Sequence, residues 1–152
     1  EGDSIEFGPG VESRVLYSVE DAKLKPKASR VLLLQYGDHR FLLTSDLPRE
    51  DEEKMVLRWG SSLESDVLKV GTHGGDDSTS KSLVKYARPE HAVISVSAKG
   101  SNPLGAPKKS VLENLTSVGA NIHKTFRHGH VAFYTDGESL RVKRNAFPYA
   151  GS

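Results

Sequence analysis

The sequence predicts an α/β fold in which strands alternate with helices and the chain closes in a small antiparallel meander. Short apolar runs rich in Val and Leu recur along the chain, at 29–36, 66–70 and 92–96. Between them lie segments with helical spacing of apolar residues, such as 107–118. This alternation is typical of layered α/β proteins, and 152 residues are enough for a single domain of that kind.

Three strands are predicted in the N-terminal third. Residues 13–19 form the first, and a polar loop containing Pro26 separates it from the run 29–36. A tight turn at Gly37 leads to the next run, 41–43, so these two strands form a hairpin. Both runs are almost continuously apolar, which suits strands that are buried on both faces of a sheet.

Three helices follow. The first helix opens at Pro48 and ends at a glycine. Four acidic residues in its first turns, at 50–53, suit the positive end of the helix dipole. The second spans 78–86 with Ser78 or Ser80 as its cap, and the third spans 107–118. Strands complete the pattern at 66–70, 92–96, 122–126, 131–135 and 140–142.

Composition and motifs exclude several classes of protein. The chain has no Cys, which excludes disulfides and thiolate metal sites. Its longest apolar run, 31–34, is far shorter than the roughly 18 residues of a membrane span, so we expect no membrane contact from this chain itself. The absence of nucleophile-elbow, Walker, dinucleotide-binding and zincin motifs argues against those enzyme classes. Because the chain begins at Glu1, we expect it to be a piece of a longer protein.

The net charge of +1 conceals an asymmetry between the two halves of the chain. Residues 1–66 hold 9 basic and 14 acidic residues, a net charge of −5, whereas residues 67–152 hold 12 and 6, a net charge of +6. A basic half can attract polyanions. Because the basic residues are scattered, an uneven solvated surface is an equally good interpretation.

Asp46 is the first candidate for chemistry. It lies where a buried strand ends and a loop begins, so a rigid element positions a carboxylate that reaches solvent. Such an Asp can ligate a metal or orient a nucleophile. The alternative is an Asp that caps the helix opening at Pro48.

The segment 71–80, between a strand and the next helix, is the second candidate. Its glycines permit sharp turns and close approach of the backbone to a ligand. The helix N-terminus offers unpaired N–H groups that favour anions. His73, when neutral, is a good ligand for Zn²⁺ or Mn²⁺. The alternative is an ordinary loop with a surface His.

Asp46 and His73 together are stronger candidates for a metal site than either alone, because loops at the same edge of a sheet converge. They make only half of a metal site, since catalytic zinc has three protein ligands. The pair His128 and His130 has a spacing that suits a metal in a strand, with an exposed hairpin turn as the simpler interpretation. Trp59 and Phe126 are expected to be core residues, and the other histidines structural or solvated.

Four segments resemble, in their order, the second half of a metallo-β-lactamase-fold hydrolase. They read FLLTSDL at 41–47, DVLKVGTHGG at 66–75, PEHAVISV at 89–96 and SNPLGAP at 101–107. The resemblance covers about residues 5 to 143, nearly the whole chain. It is strongest to the domain attached to ComEC-type DNA-uptake (competence) proteins.

This resemblance implies the second half of an αββα sandwich, a mixed sheet with helices and a closing meander. It implies a site for Zn or Mn at one edge, with Asp46 and His73 as metal ligands and catalytic residues. Such enzymes hydrolyse phosphodiesters, and the ComEC-type domain is thought to be a nuclease acting on DNA. Further residues are then expected to bind the substrate phosphate: Thr72, Gly74, Gly75, Ser78 and Asn102.

The chain also departs from the family pattern. The main ligand motif, H-x-H-x-D-H, is absent. The family segment H-H-G-S reads Thr72-His73-Gly74-Gly75, and a family site His is Ala106 here. These changes favour a weakened or altered site.

Two hypotheses follow. In the first, the chain is part of a metal-dependent phosphodiesterase or nuclease linked to DNA uptake. It is inactive as this fragment, and a missing N-terminal half or a second copy completes it. In the second, it is a metal-free module that binds nucleic acid or a protein partner. A ComEC-type parent would be membrane-anchored, with this domain on its extracytoplasmic side.

Overall fold

The computed structural model describes residues 2–19, 29–97 and 105–145. Among these, the strands are β1 Val11–Val19, β2 Ser29–Tyr36, β3 His39–Leu43, β4 Val67–Lys69, β5 His91–Ile94, β6 Asn121–Lys124, β7 His130–Thr135 and β8 Leu140–Asn145. The helices are α1 Arg49–Trp59, α2 Lys81–Ala87, α3 Lys109–Ser117 and the short α4 Thr125–His128. Helical turns follow α1 at Gly60–Leu63 and β4 at Gly71–Gly74.

A mixed sheet of six strands, ordered β1 to β6 along the chain, forms the centre of the fold. The first three strands are antiparallel, with the predicted hairpin joining β2 and β3. Strands β3 to β6 are parallel, in a register that aligns Leu42 with Leu68 and Leu68 with Ala92. A separate antiparallel hairpin, β7–β8, closes the described chain. The predicted α/β class is therefore confirmed. Of the predicted closing meander, the strands at 131–135 and 140–142 form an antiparallel hairpin, whereas the strand at 122–126 is β6 and lies parallel to β5 in the main sheet.

The three longer helices lie on one face of the sheet. Leu42, Leu68 and Ala92 share one buried cluster with Met55 of α1, and the cluster also includes apolar residues of α2 and α3. Side chains alternate across a strand, so the neighbours of these core residues point to the opposite face. There Phe41 and His91 meet Phe133 of β7, with ring centroids 6.4 and 5.5 Å apart. The hairpin thus covers part of the helix-free face.

Three local details differ from the sequence expectations. Residue Phe126, predicted in a strand and in the core, lies in α4 and is 43% exposed. The strand ends at Lys124, and the Thr125 hydroxyl accepts a hydrogen bond from the Val96 N–H (2.9 Å) at the start of α4. The strand predicted over 92–96 ends at Ile94, and the helix predicted over 78–86 begins at Lys81. Of the two caps that the sequence allowed, Ser80 is the one observed, and its side chain accepts from the Leu83 N–H (3.2 Å). None of the described helices has the length and apolar character needed to cross a membrane.

Candidate site at the carboxyl edge of the parallel strands

The carboxyl ends of β3, β4, β5 and β6 lie side by side because these strands are parallel neighbours. The segments that follow them therefore meet at one edge of the sheet, where ligands bind in open α/β sheets. The first two segments carry Asp46 and His73. The structure thus brings together the two regions that the sequence singled out.

Asp46 links the loop after β3 to the loop after β4. Its Oδ1 accepts a hydrogen bond from the Thr72 backbone N–H at 3.1 Å, and its side chain is otherwise exposed. The N-cap of α1 is Pro48, and no side chain caps that helix. The capping interpretation of Asp46 is therefore wrong. The carboxylate instead faces the His73 loop.

His73 has one ring nitrogen committed and one available. Its Nδ1 lies 2.7 Å from the Ser95 carbonyl oxygen. A carbonyl can only accept, so Nδ1 carries the proton and, in the neutral ring, Nε2 presents a lone pair. The residue is exposed. Metal-binding histidines are commonly oriented by such a hydrogen bond from the other nitrogen.

The turn that presents His73 has an unusual backbone. Thr72, His73 and Gly74 have φ values of 45°, 52° and 86°, so three consecutive residues lie in the left-handed region. For residues with a Cβ this conformation costs about 1–2 kcal/mol each. Such strain persists only where neighbouring contacts impose it, and it is concentrated at functional sites. Here the neighbouring contacts are the hydrogen bonds of the Thr72 N–H with Asp46 and Ser45, of His73 with Ser95, and of the Gly74 carbonyl with the Lys108 N–H.

Gly74 and Gly75 are both buried, and each packs against protein. A Cβ on Gly74 would lie 2.9 Å from the Pro107 Cβ, and one on Gly75 would lie 3.1 Å from the Thr72 Cγ2. The Gly74 carbonyl also accepts a hydrogen bond from the Lys108 N–H (2.9 Å). These glycines allow the loop after β4 to pack closely against the start of α3.

The N-terminus of α2 already holds an anion that belongs to the chain. The buried Glu52 carboxylate accepts hydrogen bonds from the backbone N–H groups of Thr79 and Ser80, at 2.5 and 2.8 Å. Burial raises the pKa of Glu52, and these two hydrogen bonds oppose that rise. The expectation that unpaired N–H groups at this end could bind a phosphate is therefore wrong for the N–H groups of Thr79 and Ser80. Ser78 is fully buried, and its hydroxyl makes no hydrogen bond within the described chain.

Lys69 also lies at this edge, and the sequence patterns did not identify it as a site residue. It belongs to the face opposite the helices, since its neighbour Leu68 is in the core, and its Nζ donates to the Val70 carbonyl at 3.0 Å. Burial lowers the pKa of Lys69, and the negative charge of Asp46 partly offsets that effect. For Lys69 the sequence offered one signal, a single Lys inside an apolar strand run. Glu52 was also missed, since nothing in the sequence separates it from the other acids of α1.

Comparison with known proteins finds no matching family model. The chain is 31% identical over 113 residues to ComE operon protein 3 of Bacillus subtilis, an alignment that covers 74% of this chain and 14% of that protein. It is 33% identical over 121 residues to Recombination protein 2 of Haemophilus influenzae (78% and 15%) and 31% identical over 116 residues to Competence protein ComA of Neisseria gonorrhoeae (76% and 16%). The chain is related to a segment of the ComEC-type competence proteins.

The alignments cover 14–16% of the length of these ComEC-type relatives. In the parts of the chain that the structure describes, no group of three or more His, Asp or Glu side chains is arranged to hold a metal ion. Asp46 and His73 are suitable donors in kind but too few in number for a catalytic zinc. Asn102 lies outside the described residues, and Ala106 supplies no ligand.

Proposed function

We propose that this chain is the C-terminal part of a metallo-β-lactamase-type hydrolase domain in a ComEC-type DNA-uptake protein. Asp46 and His73 would contribute two ligands to a divalent-metal site, with Zn or Mn as the ion, and the N-terminal part of the domain would contribute the others. A divalent ion in such a site is suited to hydrolysis of phosphodiesters, and DNA is the proposed substrate.

One observation carries this proposal: the contact of Asp46 Oδ1 with the Thr72 N–H at 3.1 Å, directly beside His73. It brings a carboxylate and an exposed imidazole to one edge from loops 26 residues apart. The His73 ring is oriented by the Ser95 carbonyl so that Nε2 is the accepting nitrogen. Ligand pairs need this kind of prior orientation, because each freely rotating side chain would lose entropy on binding.

The helix-free face of the sheet supports the sandwich architecture. Leu32, Leu34 and Phe41 belong to that face and are only partly buried, and an apolar groove of about 530 Å³ runs over Leu34, Tyr36 and Phe41. In a sandwich a second sheet would cover this surface. The N-terminal part of the domain is the proposed cover.

The test uses the longer protein that contains both parts of the domain. We expect DNA hydrolysis that stops with a chelator, with Asp46→Ala and with His73→Gln. Asp46→Asn is the informative variant: it keeps the oxygen that accepts from Thr72 but loses the charge that a metal requires. Full hydrolysis by Asp46→Asn, or by the chelated wild type, would contradict the proposal.

A second candidate is a metal-free module that binds nucleic acid. It is favoured by the two-donor site and by three exposed cations on β8, namely Arg141, Lys143 and Arg144. Phosphate contacts release counterions, so its DNA affinity should fall steeply with salt and survive both a chelator and Asp46→Asn. Affinity that is insensitive to salt would exclude this candidate.

A further inference from the structure

A pocket of about 350 Å³ lies next to the candidate site, between the start of α3 and α4. The described residues that line it are Ser97, Gly105, Ala106, Pro107, Leu112, Lys124 and Phe126. The volume is within the range of about 300–1,000 Å³ that is typical of small-molecule sites. None of the described residues that line it is acidic.

Direct contacts join this pocket to the His73 loop. Pro107, in the pocket wall, packs against Gly74, and the next residue, Lys108, donates its N–H to the Gly74 carbonyl. On the other side, Thr125 precedes Phe126 and bonds the Val96 N–H, directly after the Ser95 carbonyl that orients His73. The wall of the pocket is therefore in direct contact with the loop that carries His73.

The composition of the pocket matches a nucleotide. Phe126 is a large apolar side chain that remains 43% exposed at the pocket wall, which gives an aromatic face for stacking. Lys124 also lines the pocket. A second cation is close by, because the Lys108 Nζ lies 3.8 Å from where a Cβ on the lining residue Gly105 would be. Base–aromatic stacking combined with nearby cations is how proteins hold single-stranded nucleic acid without reading its sequence.

We propose that this pocket binds one nucleotide of single-stranded DNA, with the base on Phe126 and the apolar wall and the phosphate near Lys124 and Lys108. The choice of DNA rests on the proposed DNA-uptake function, but the pocket does not depend on the metal ligands. It would hold the strand beside Asp46 and His73 without selecting its sequence. The binding surface is thus separate from the two candidate ligands.

The experiment is fluorescence-anisotropy binding of a labelled oligothymidylate to the full 152-residue chain at low salt. Phe126→Ala should weaken binding at least about fivefold, the lower range for loss of one base stack, and Phe126→Trp should restore it. Tyr134→Ala is the matched control, since Tyr134 is an aromatic residue of β7 that is 57% exposed. Lys124→Gln should weaken binding and reduce its salt dependence.

An abasic oligonucleotide separates stacking from simple charge attraction. It should bind more weakly than oligothymidylate and should not respond to Phe126→Ala. A deoxynucleoside monophosphate that competes, with the same Phe126 dependence, would show that a free nucleotide suffices. Equal effects of Phe126→Ala and Tyr134→Ala, or equal binding with and without bases, would overturn the pocket. A chelator should leave this binding unchanged, because the pocket does not use a metal, so failure of the metal proposal and failure of the pocket remain distinguishable.

Discussion

The Asp46 carboxylate accepts a hydrogen bond from the Thr72 backbone N–H at 3.1 Å across the ends of two neighbouring parallel strands. This contact joins Asp46 to the left-handed turn that contains His73. The carboxylate therefore has a structural role that is independent of any bound ion or substrate. A test of the site must therefore separate the hydrogen bond from the charge.

Asp46→Ala should lower the free energy of unfolding by about 0.5–1.5 kcal/mol, because one hydrogen bond to the turn is lost. Amide hydrogen exchange at Thr72 should become faster, because its N–H keeps only the longer bond to the Ser45 carbonyl (3.4 Å). Asp77→Ala provides a control in the same segment, since Asp77 is also exposed. Equal exchange at Thr72 in the two variants would show that the contact does not hold the turn.

Gly74→Ala should destabilise the chain by about 3 kcal/mol, from about 1–2 kcal/mol of left-handed backbone and a further overpacking cost. The added Cβ would lie 2.9 Å from the Pro107 Cβ. Gly119→Ala is the matched control, because Gly119 has a similar φ of +78° but nothing within 4 Å of its Cβ position. Chemical denaturation of both should show the larger loss for Gly74→Ala; equal losses would mean that packing against Pro107 contributes nothing.

Glu52→Gln should destabilise the chain by about 1–3 kcal/mol, because a side-chain amide cannot accept from both N–H groups and leaves a buried donor unsatisfied. Burial raises the pKa of Glu52 above its usual value. Its ionisation therefore opposes folding, and wild-type stability should fall with rising pH between its unfolded and folded pKa values. Glu53→Gln, an exposed neighbour, should change stability by no more than about 0.5 kcal/mol. Similar urea midpoints for the two variants would contradict the capping role.

His123 should make the protein less stable as the pH falls. Burial, helped by the positive charge of Arg144, lowers its pKa to about 4 in the fold. The unfolded chain takes up this proton near pH 6.5, so stability is present above that value and is lost between about pH 6.5 and 4. The loss from pH 7.5 to 5.0 should reach about 2 kcal/mol.

His123→Phe should reduce the slope of stability against pH in urea denaturation. The His123 Nε2 lies 3.2 Å from the His91 Nδ1. Positive charge on His91 or His128 also lowers the pKa of His123. An unchanged slope in His123→Phe would assign the pH response to other groups.

The isolated chain should bind Zn²⁺ or Mn²⁺ no more tightly than micromolar in calorimetry, because Asp46 and His73 alone leave a catalytic zinc without its third protein ligand. Whatever weak binding occurs should disappear in His73→Gln. Sub-micromolar affinity for the wild type would mean that this chain supplies further ligands.

The order of strands and helices was predictable because it rests on local signals. Helical spacing over 107–118, the glycine at Gly37 and the proline at Pro48 each act within a few residues of chain. The convergence of Asp46 with the His73 loop was predictable too, since both follow strands of one sheet. The outcome for Phe126 was not, because the α4 turn that contains it begins at Thr125, whose hydroxyl bonds Val96, 29 residues away.

The sequence by itself determined the α/β class, the three main helices and the two loops that meet at the site. Only the tertiary structure decided how those loops are used: the Asp46 hydrogen bond, the orientation of His73 by Ser95 and the occupation of the α2 N-terminus by Glu52. The physical reason is range. Periodicity and turn preferences act between near neighbours, whereas these contacts join residues 22 to 28 positions apart that packing alone brings together.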